Sequence, residues 1–220
     1  MNLILKRTIT GLTVGVSVIA LILLVPCAAV APAVVVLSVL AILEFALLLR
    51  KKLSRWTITS VVALVSGSAV IACGLWTLAE IAARHGNVFL LYIVAIIKFS
   101  DVGGFAFGMS SAKLMKGGNH KLCPSISPGK SWEGILGSVI FSCIVSCAFI
   151  PYTHFAVGKA LLLGVVAATV GTAGDLVESK FKRWVGVKDS SALKITNGMG
   201  GILDMLDSLI FAPAVLLALI

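Results

Sequence analysis

Charged residues are scarce in this sequence. Only 12% of its 220 residues are Asp, Glu, Lys or Arg, whereas 59% are hydrophobic, and the mean hydropathy is +1.10. A compact water-soluble fold has too little interior to bury so large an apolar fraction. The composition therefore excludes an ordinary soluble domain and predicts that most of the chain lies in lipid.

Acidic residues are the scarcer of the two charge types. Nine Asp and Glu stand against 18 Lys and Arg, which gives a net charge of +9. In a soluble protein this excess would suggest nucleic acid. Here the bases lie in short clusters between long apolar runs, as in the cytoplasmic loops of polytopic membrane proteins. We therefore expect no nucleic-acid partner.

Metal-binding cysteine patterns are absent from the sequence. Its five cysteines form neither a CxxC pair nor a Cys/His group with the spacing of a zinc site, and four of them lie in apolar stretches. Such cysteines act as small hydrophobic residues. We expect free thiols, with no disulfide and no zinc.

Seven apolar runs approach the length of about 20 residues that a transmembrane helix needs. They lie at approximately 9–31, 33–49, 57–83, 88–109, 134–152, 158–177 and 200–220. The sequence thus predicts an all-α, polytopic integral membrane protein with about seven transmembrane helices. We expect one transmembrane catalytic domain over residues 1–220, with N-terminal helices over 9–83 and a motif-bearing part over 88–220. Because the second run follows the first almost at once, we expect the first run to be retained rather than cleaved as a signal peptide.

The basic residues predict the orientation. With the N-terminus in the cytoplasm, fifteen of the 18 Lys and Arg fall on the cytoplasmic side, Arg84 and Lys159 fall outside, and Lys98 lies within a span. This asymmetry follows the positive-inside rule. We therefore expect a cytoplasmic N-terminus.

The acids are concentrated late in the chain, where seven of the nine follow residue 100. A carboxylate inside an apolar span is costly unless it is paired, hydrated or bound to a cation, which makes Asp101, Asp204 and Asp207 functional candidates. Asp204 and Asp207 share a helix face, and Asp175 ends the preceding span at the same depth. Converging carboxylates predict a Mg²⁺ site. Buried ion pairs with Lys or Arg, and the cation pathway of a transporter, are the alternatives.

Two loops carry phosphate-binding chemistry. In the first, Ser127-Pro128-Gly129-Lys130-Ser131 directly precedes a span, so hydroxyls, backbone N–H groups and an ammonium could meet an anion at a helix N-terminus. It is not a Walker A loop, because Pro124 stands where that motif needs its first Gly. An interfacial anchor formed by Lys130 and Trp132 is the alternative.

The second loop, residues 174–189, brings carboxylates and bases together. If the helix continues through residue 184, Asp175 and Glu178 share a face, and so do Lys180 and Arg183. A patch for anionic lipid headgroups would explain the bases but not the carboxylates. The loop therefore predicts metal-binding and phosphate-binding groups side by side.

Four segments, taken together, resemble the signature of the phosphatidate cytidylyltransferases, also called CDP-diglyceride synthases. Two of them are Gly174-Asp175-Leu176-x-Glu178-Ser179-x-x-Lys182-Arg183 with Lys188-Asp189, and Gly200-Gly201-Ile202-Leu203-Asp204-x-x-Asp207-Ser208. Residues 127–134 are similar to the family's SPxKTWEG box, with Ser131 in place of Thr, and Ser100-Asp101 is similar to its SD segment. The resemblance is in order along the chain and covers roughly residues 98–210.

The resemblance implies a polytopic enzyme that joins CTP and phosphatidate to give CDP-diacylglycerol and pyrophosphate. It implies Mg²⁺ as the cofactor, with a second cation such as K⁺ as an option, and the metal ligands would be Asp175, Asp204 and Asp207. The catalytic residues would be Asp175, Asp204, Lys182, Arg183 and Lys188. The substrate-binding residues would be Asp101, Ser127, Lys130, Ser131, Glu133, Ser179, Asp189, Gly200 and Gly201.

The expected setting is a bacterial inner membrane with the active site facing the cytoplasm. The expected partners are CTP and phosphatidate or a related anionic lipid, and a homodimer remains an option. The sequence departs from the family pattern where Met199 replaces the usual His of Pro-Gly-His-Gly-Gly and where Met205 replaces the Arg after Asp204. These departures leave open another phosphorylated lipid as acceptor. A transporter or an inactive membrane scaffold is the alternative from a different class.

Overall fold

The protein is described here from a computed structural model, which covers residues 17–53, 57–116, 118–187, 190 and 201–220. Residues 17–24 are helical. The helices that follow are α1 (Cys27–Lys52), α2 (Ile58–His85), α3 (Asn87–Leu114), α4 (Trp132–Ala148), α5 (Ile150–Thr153), α6 (Val157–Val185) and α7 (Ile202–Leu219). Between α3 and α4 lies a short hairpin of β1 (Lys121–Cys123) and β2 (Ser127–Ser131). The predicted all-α class is confirmed.

The prediction of about seven membrane spans is not confirmed by the described residues. Within the described ranges, five helices are long and apolar enough to cross a membrane, namely α1, α2, α3, α6 and α7, while α4 is apolar but has only 17 residues. The predicted run 9–31 begins outside the described residues. A polytopic membrane protein is thus confirmed, whereas the count of seven spans is not.

The break between the first two predicted runs lies earlier than expected. The prediction placed it near Pro32, but helix α1 begins after Pro26 and contains Pro32. A proline inside a helix removes one backbone hydrogen bond, and α1 tolerates this loss within a long apolar helix. Residues 27–31, assigned to the first run, therefore belong to the same helix as the second.

The five long helices and α4 alternate in direction, which gives the bundle two distinct ends. At the basic end, α1, α3 and α6 finish with Lys or Arg in their last turns. Lys52 Nζ of α1 lies there 5.7 Å from the ring centroid of Trp184 in α6. At the far end, the Asn87 amide donates to the Val25 carbonyl at 2.6 Å, and Lys159 Nζ donates to the Ile220 carbonyl at 3.2 Å. Helix α7 begins at the basic end and finishes at the far end.

Helices α3 and α4 are held together by a glycine contact. A Cβ added to Gly103 would lie 2.4 Å from the Gly137 carbonyl oxygen, and a Cβ added to Gly137 would lie 2.5 Å from the Gly103 carbonyl oxygen. Small residues let helix backbones approach in lipid, where association depends on close packing rather than on the hydrophobic effect. This contact fixes α4 against α3 beneath the hairpin.

The hairpin enters α4 without a linker. Its strands are antiparallel, with Lys121 opposite Ser131, and the Trp132 N–H donates to the His120 carbonyl at 3.0 Å. The Ser131 hydroxyl accepts from the Gly134 N–H at 3.1 Å and so caps α4. Capping satisfies one of the free N–H groups of a helix start. These bonds fix the hairpin, and with it strand β2, at the basic end of the bundle.

Candidate active site

A cavity of about 430 Å³ opens among the hairpin, α3, α4, α6 and α7. All four sequence segments that resemble the family signature contribute to its wall. The predicted site residues that line it are Asp101, Ser127, Lys130, Ser131, Asp175, Asp204 and Asp207. Residues that lie more than 100 positions apart in the chain therefore meet in one site.

Lys130 connects the hairpin to α6. Its Nζ lies 2.6 Å from Asp175 Oδ2 and donates to the Thr172 carbonyl at 3.0 Å. Ser179 Oγ donates to the other Asp175 oxygen at 3.3 Å. An ammonium has three donors, so Lys130 can hold both partners and a substrate phosphate at once.

Three carboxylates converge at the wall formed by α6 and α7. One oxygen from each of Asp175, Glu178 and Asp207 lies within 4.8 Å of the others. Glu178 and Asp207 are buried, and although Lys182 Nζ lies 2.5 Å from Glu178 Oε2, Glu178 Oε1 has no hydrogen-bond partner among the residues that the structure describes. Burying carboxylate oxygens without hydrogen bonds is costly, and a bound cation would offset that cost. The three residues are hard oxygen ligands of the kind that Mg²⁺ binds.

Asp204 lies beside this cluster in a different environment. It forms an ion pair with Lys182, and its Oδ2 accepts from the N–H groups of Ser190 and Gly201, each at 2.9 Å. Lys182 Nζ also lies 2.5 Å from Glu178 Oε2. Of the three predicted metal ligands, Asp175 and Asp207 belong to the cluster. Asp204 instead pairs with Lys182 through Oδ1 and accepts from backbone N–H groups through Oδ2. Lys182 joins Asp204 to Glu178 across α6 and α7.

Arg183 contacts the hairpin turn. Its Nε donates to the Ile126 carbonyl at 3.2 Å, and its Nη1 lies 3.5 Å from the Val187 carbonyl. Because Ile126 directly precedes Ser127, this guanidinium ties the end of α6 to the strand that lines the cavity. The predicted phosphate-binding role of Arg183 stays a prediction.

Glu133 also braces the hairpin. Its Oε1 accepts from the His120 N–H at 3.2 Å and lies 2.7 Å from His120 Nδ1. The hydrogen bond from the His120 side chain is the main cause that lowers the pKa of Glu133 to about 2. The carboxylate stabilises the junction between β1 and α4, next to the cavity-lining residues Ser131 and Gly134.

Glu178, which the sequence places on one helix face with Asp175, joins the carboxylate cluster. Sequence reasoning missed two other residues at the site. Lys98 lines the cavity, and Glu44 Oε2 accepts from the Leu203 N–H at 2.8 Å in the first turn of α7. A signal for Lys98 and Glu44 existed in the sequence, because each is a charged residue within an apolar span. Applying that rule to every charged residue, and not only to the late acids, would have found both.

Three predicted site residues lie outside the described residues: Lys188, Asp189 and Gly200. Gly201 is described and lies at the start of α7. A Cβ added there would come 2.4 Å from Glu44 Oε1 and 2.3 Å from Ser190 Oγ, so a larger residue would displace these two side chains. Gly201 therefore shapes the start of the helix that carries Asp204.

A family model described as the cytidylyltransferase family matches residues 54–220. The chain belongs to the cytidylyltransferase family. It is 43% identical over 129 residues to the phosphatidate cytidylyltransferase of Staphylococcus aureus (strain COL), covering 58% of this chain and 46% of that protein. It is 40% identical over 131 residues to the phosphatidate cytidylyltransferase of Haemophilus influenzae, covering 57% of this chain and 43% of that protein.

These relatives fit the bundle that the structure shows. Apolar helices together with bacterial relatives of this family identify an integral membrane protein. The matched segments span just under half the length of the curated relatives.

Proposed function

We propose that the chain is a nucleotidyltransferase that moves a cytidylyl group from CTP to phosphatidate, giving CDP-diacylglycerol and pyrophosphate for phospholipid synthesis. The observation that carries the proposal is the cavity lined by all four signature-like segments. It unites the Ser127 to Ser131 strand, the lysine Lys130 and the carboxylates Asp175, Asp204 and Asp207. These are the groups that would hold phosphates and a divalent cation.

The carboxylate cluster suits Mg²⁺. Asp175, Glu178 and Asp207 would hold the ion, and the convergence of three carboxylates, with the buried Glu178 Oε1 lacking a hydrogen-bond partner among the described residues, is the observation that favours a cation there. The predicted ligand Asp204 would join them by giving up Lys182. Bound there, Mg²⁺ would neutralise phosphate charge as it builds up during transfer. K⁺ remains our proposal for a second cation.

The reaction needs positioning more than a strong base. An oxygen of the phosphatidate phosphate forms a bond to the α-phosphorus of CTP, the bond from that phosphorus to the bridging oxygen breaks, and pyrophosphate leaves with the electron pair. The phosphate monoester is already a nucleophile, so alignment and charge neutralisation carry the rate. Lys130 would orient a substrate phosphate while Asp175 and the Thr172 carbonyl hold its ammonium in place.

The cavity would face the cytoplasm of a bacterial inner membrane. It opens at the basic end, where α1, α3 and α6 finish with Lys or Arg. Basic residues mark the cytoplasmic side of membrane proteins. Water-soluble CTP and membrane-held phosphatidate would meet at that end.

A direct assay tests the proposal. The purified full chain, in detergent or lipid vesicles with Mg²⁺, should convert α-labelled CTP and phosphatidate into labelled CDP-lipid, and it should be assayed with and without K⁺. Asp175→Asn and Asp204→Asn should each remove nearly all of this activity. Wild-type turnover in either variant would contradict the assigned roles of these carboxylates.

The acceptor lipid is tested in the same experiment. A panel of phosphorylated glycerol and prenyl lipids should show phosphatidate as the preferred acceptor. Preference for another phosphorylated lipid would keep the cytidylyl transfer and change the acceptor. No CTP-dependent release of pyrophosphate with any lipid would overturn the proposed function and favour a transporter or an inactive scaffold.

A further inference from the structure

Lys98 is a base in an unusual place. It lies midway along α3, in a helix apolar enough to span a membrane, and it lines the cavity. A lysine inside a span is expensive and usually marks a ligand or ion site when it faces the interior of a bundle. Its side chain is 38% exposed, so a ligand in the cavity could reach it.

The Lys98 ammonium is held mainly by α7. It donates to the Met205 carbonyl and to Ser208 Oγ, each at 3.0 Å, and lies 3.3 Å from Asp101 Oδ2. Ser208 Oγ in turn donates to Asp101 Oδ2 at 3.2 Å. Met205 directly follows Asp204, and Ser208 directly follows Asp207. The positive charge is therefore fixed beside the two acids of α7 by contacts with uncharged groups.

The cavity has more acidic than basic side chains in its wall. Its lining contains four aspartates and two lysines, Lys98 and Lys130. Lys130 is paired closely with Asp175, at 2.6 Å, whereas the contact of Lys98 with Asp101 is longer and both side chains are partly exposed, at 38% and 43%. A substrate phosphate would bring further negative charge towards these aspartates. A base that can exchange a long carboxylate contact for a phosphate contact would lower that repulsion.

We propose that Lys98 binds a phosphate group of the substrate, releasing Asp101 while it keeps its bonds to Met205 and Ser208. This inference rests on the proposed function. Both CTP and phosphatidate carry phosphate, so the shared chemistry is an ammonium that binds phosphate from the α3 wall of the cavity. The competing explanation is that Lys98 only neutralises Asp101 within the membrane.

A set of matched variants separates these explanations. Lys98→Met combined with Asp101→Asn removes the base and leaves no unpaired charge, and Asp101→Asn alone is the reference. We expect the double variant to have a KM for one phosphate substrate about tenfold or more above that of the reference, the loss typical of a charge-assisted hydrogen bond. A rise in KM for CTP would assign the nucleotide phosphates, and a rise in KM for phosphatidate would assign the lipid phosphate.

Lys159 provides the control lysine. It also donates to a backbone carbonyl, that of Ile220, but it lies at the far end of the bundle. Lys159→Met should leave both KM values unchanged. Lys98→Arg, which keeps a positive charge, should stay within about threefold of wild type because arginine also binds phosphate. If the double variant does not fold, Lys98→Gln compared with Lys98→Arg replaces it, and only Lys98→Gln should raise the KM.

Two outcomes would overturn the inference without touching the proposed function. One is a double variant whose KM values equal those of Asp101→Asn, and the other is a Lys98→Gln variant that matches Lys98→Arg. Binding of inorganic pyrophosphate, measured by calorimetry, gives a readout that does not need turnover. If the wild type transfers no cytidylyl group, the proposed function fails, whereas pyrophosphate binding about tenfold weaker in the double variant than in Asp101→Asn would still support the Lys98 site.

Discussion

At the basic end of the bundle, the Lys130–Asp175 and Lys182–Asp204 ion pairs join one element to another, whereas the Glu80–Arg84 pair at the far end lies within α2. The side chains of Lys182 and Asp204, which join α6 to α7, are only 13% and 14% exposed, against 64% for Arg84 and 32% for Glu80. An exposed pair within one helix contributes a few tenths of a kcal/mol. Removing one partner of a buried pair costs about 3–5 kcal/mol. The buried pairs thus hold the cavity walls together, while the far-end pair is dispensable.

Glycine packing shows the same contrast. Gly103 and Gly137 bring α3 and α4 into backbone contact below the hairpin, whereas a Cβ added to Gly158, at the far end of α6, would meet no atom within 4 Å. Substitutions of matched chemistry should therefore have large effects at the basic end and small effects at the far end.

The largest difference is expected between Glu178→Gln and Glu80→Gln. Glu178 belongs to the buried carboxylate cluster, and the glutamine would remove one of three anionic ligands there. We expect kcat/KM for CDP-lipid formation to fall at least about 100-fold, as for loss of a preorganised electrostatic group, and more Mg²⁺ to be needed for half-maximal rate. Glu80→Gln should keep wild-type kinetics. Equal activity of the two variants would remove Glu178 from the site.

The next largest difference is expected between the stabilities of Gly137→Ala and Gly158→Ala, which test helix packing. Alanine at position 137 would place its Cβ 2.5 Å from both the Gly103 carbonyl oxygen and Phe107 Cβ, so α3 and α4 must separate. Overpacking of this kind costs about 1–3 kcal/mol of unfolding free energy. Gly158→Ala should be neutral or slightly stabilising because alanine favours helix. Thermal unfolding in detergent measures both variants, and an unchanged midpoint for Gly137→Ala would contradict the close approach of the two helices.

A smaller difference is expected between Glu44→Ala and Glu80→Ala, the two acids that precede residue 100. Glu44 is buried and accepts from the Leu203 N–H, one of the N–H groups that a helix start leaves free. Loss of a buried acceptor costs about 1–3 kcal/mol, and Glu44→Gln, which keeps an acceptor, should cost less. Glu80→Ala should stay within about 0.5 kcal/mol. Equal midpoints for the two alanine variants would show that Glu44 does not support α7.

The helices were predictable where apolar runs are long. The run 57–83 corresponds to Ile58–His85, and 88–109 to Asn87–Leu114. Helix α6 extends past the predicted residue 177 to Val185, because its last turns are polar and still helical. The hairpin was not predicted. Its strands contain Pro128 and Gly129 and have no alternating pattern, so only their pairing with each other defines them.

The sequence predicted which residues line the cavity better than it predicted which of them contact one another. The cost of burying charge in lipid pointed to Asp101, Asp204 and Asp207, and all three line the cavity. The sequence could not show that Glu178 would join Asp175 and Asp207 while Lys182 engages Asp204. That choice depends on how α6 and α7 are rotated against each other, which helix periodicity alone does not define.

The smallest effect is expected from acid titration of the hairpin. Hydrogen bonding by His120 lowers the pKa of Glu133 to about 2 from an ordinary value of 4.5, so the ionised carboxylate stabilises the folded hairpin above pH 4.5. This contribution is lost as the pH falls from 4.5 through about 2, because the carboxylate then binds a proton. Relative to the exchange rate of an unfolded chain at the same pH, hydrogen exchange of residues 121–131 should therefore speed up over that window more in the wild type than in Glu133→Gln, which has no carboxylate to protonate. The hairpin of Glu80→Gln, altered only at the far end, should follow the wild type, and identical acid profiles for wild type and Glu133→Gln would show that this carboxylate does not hold the hairpin on α4.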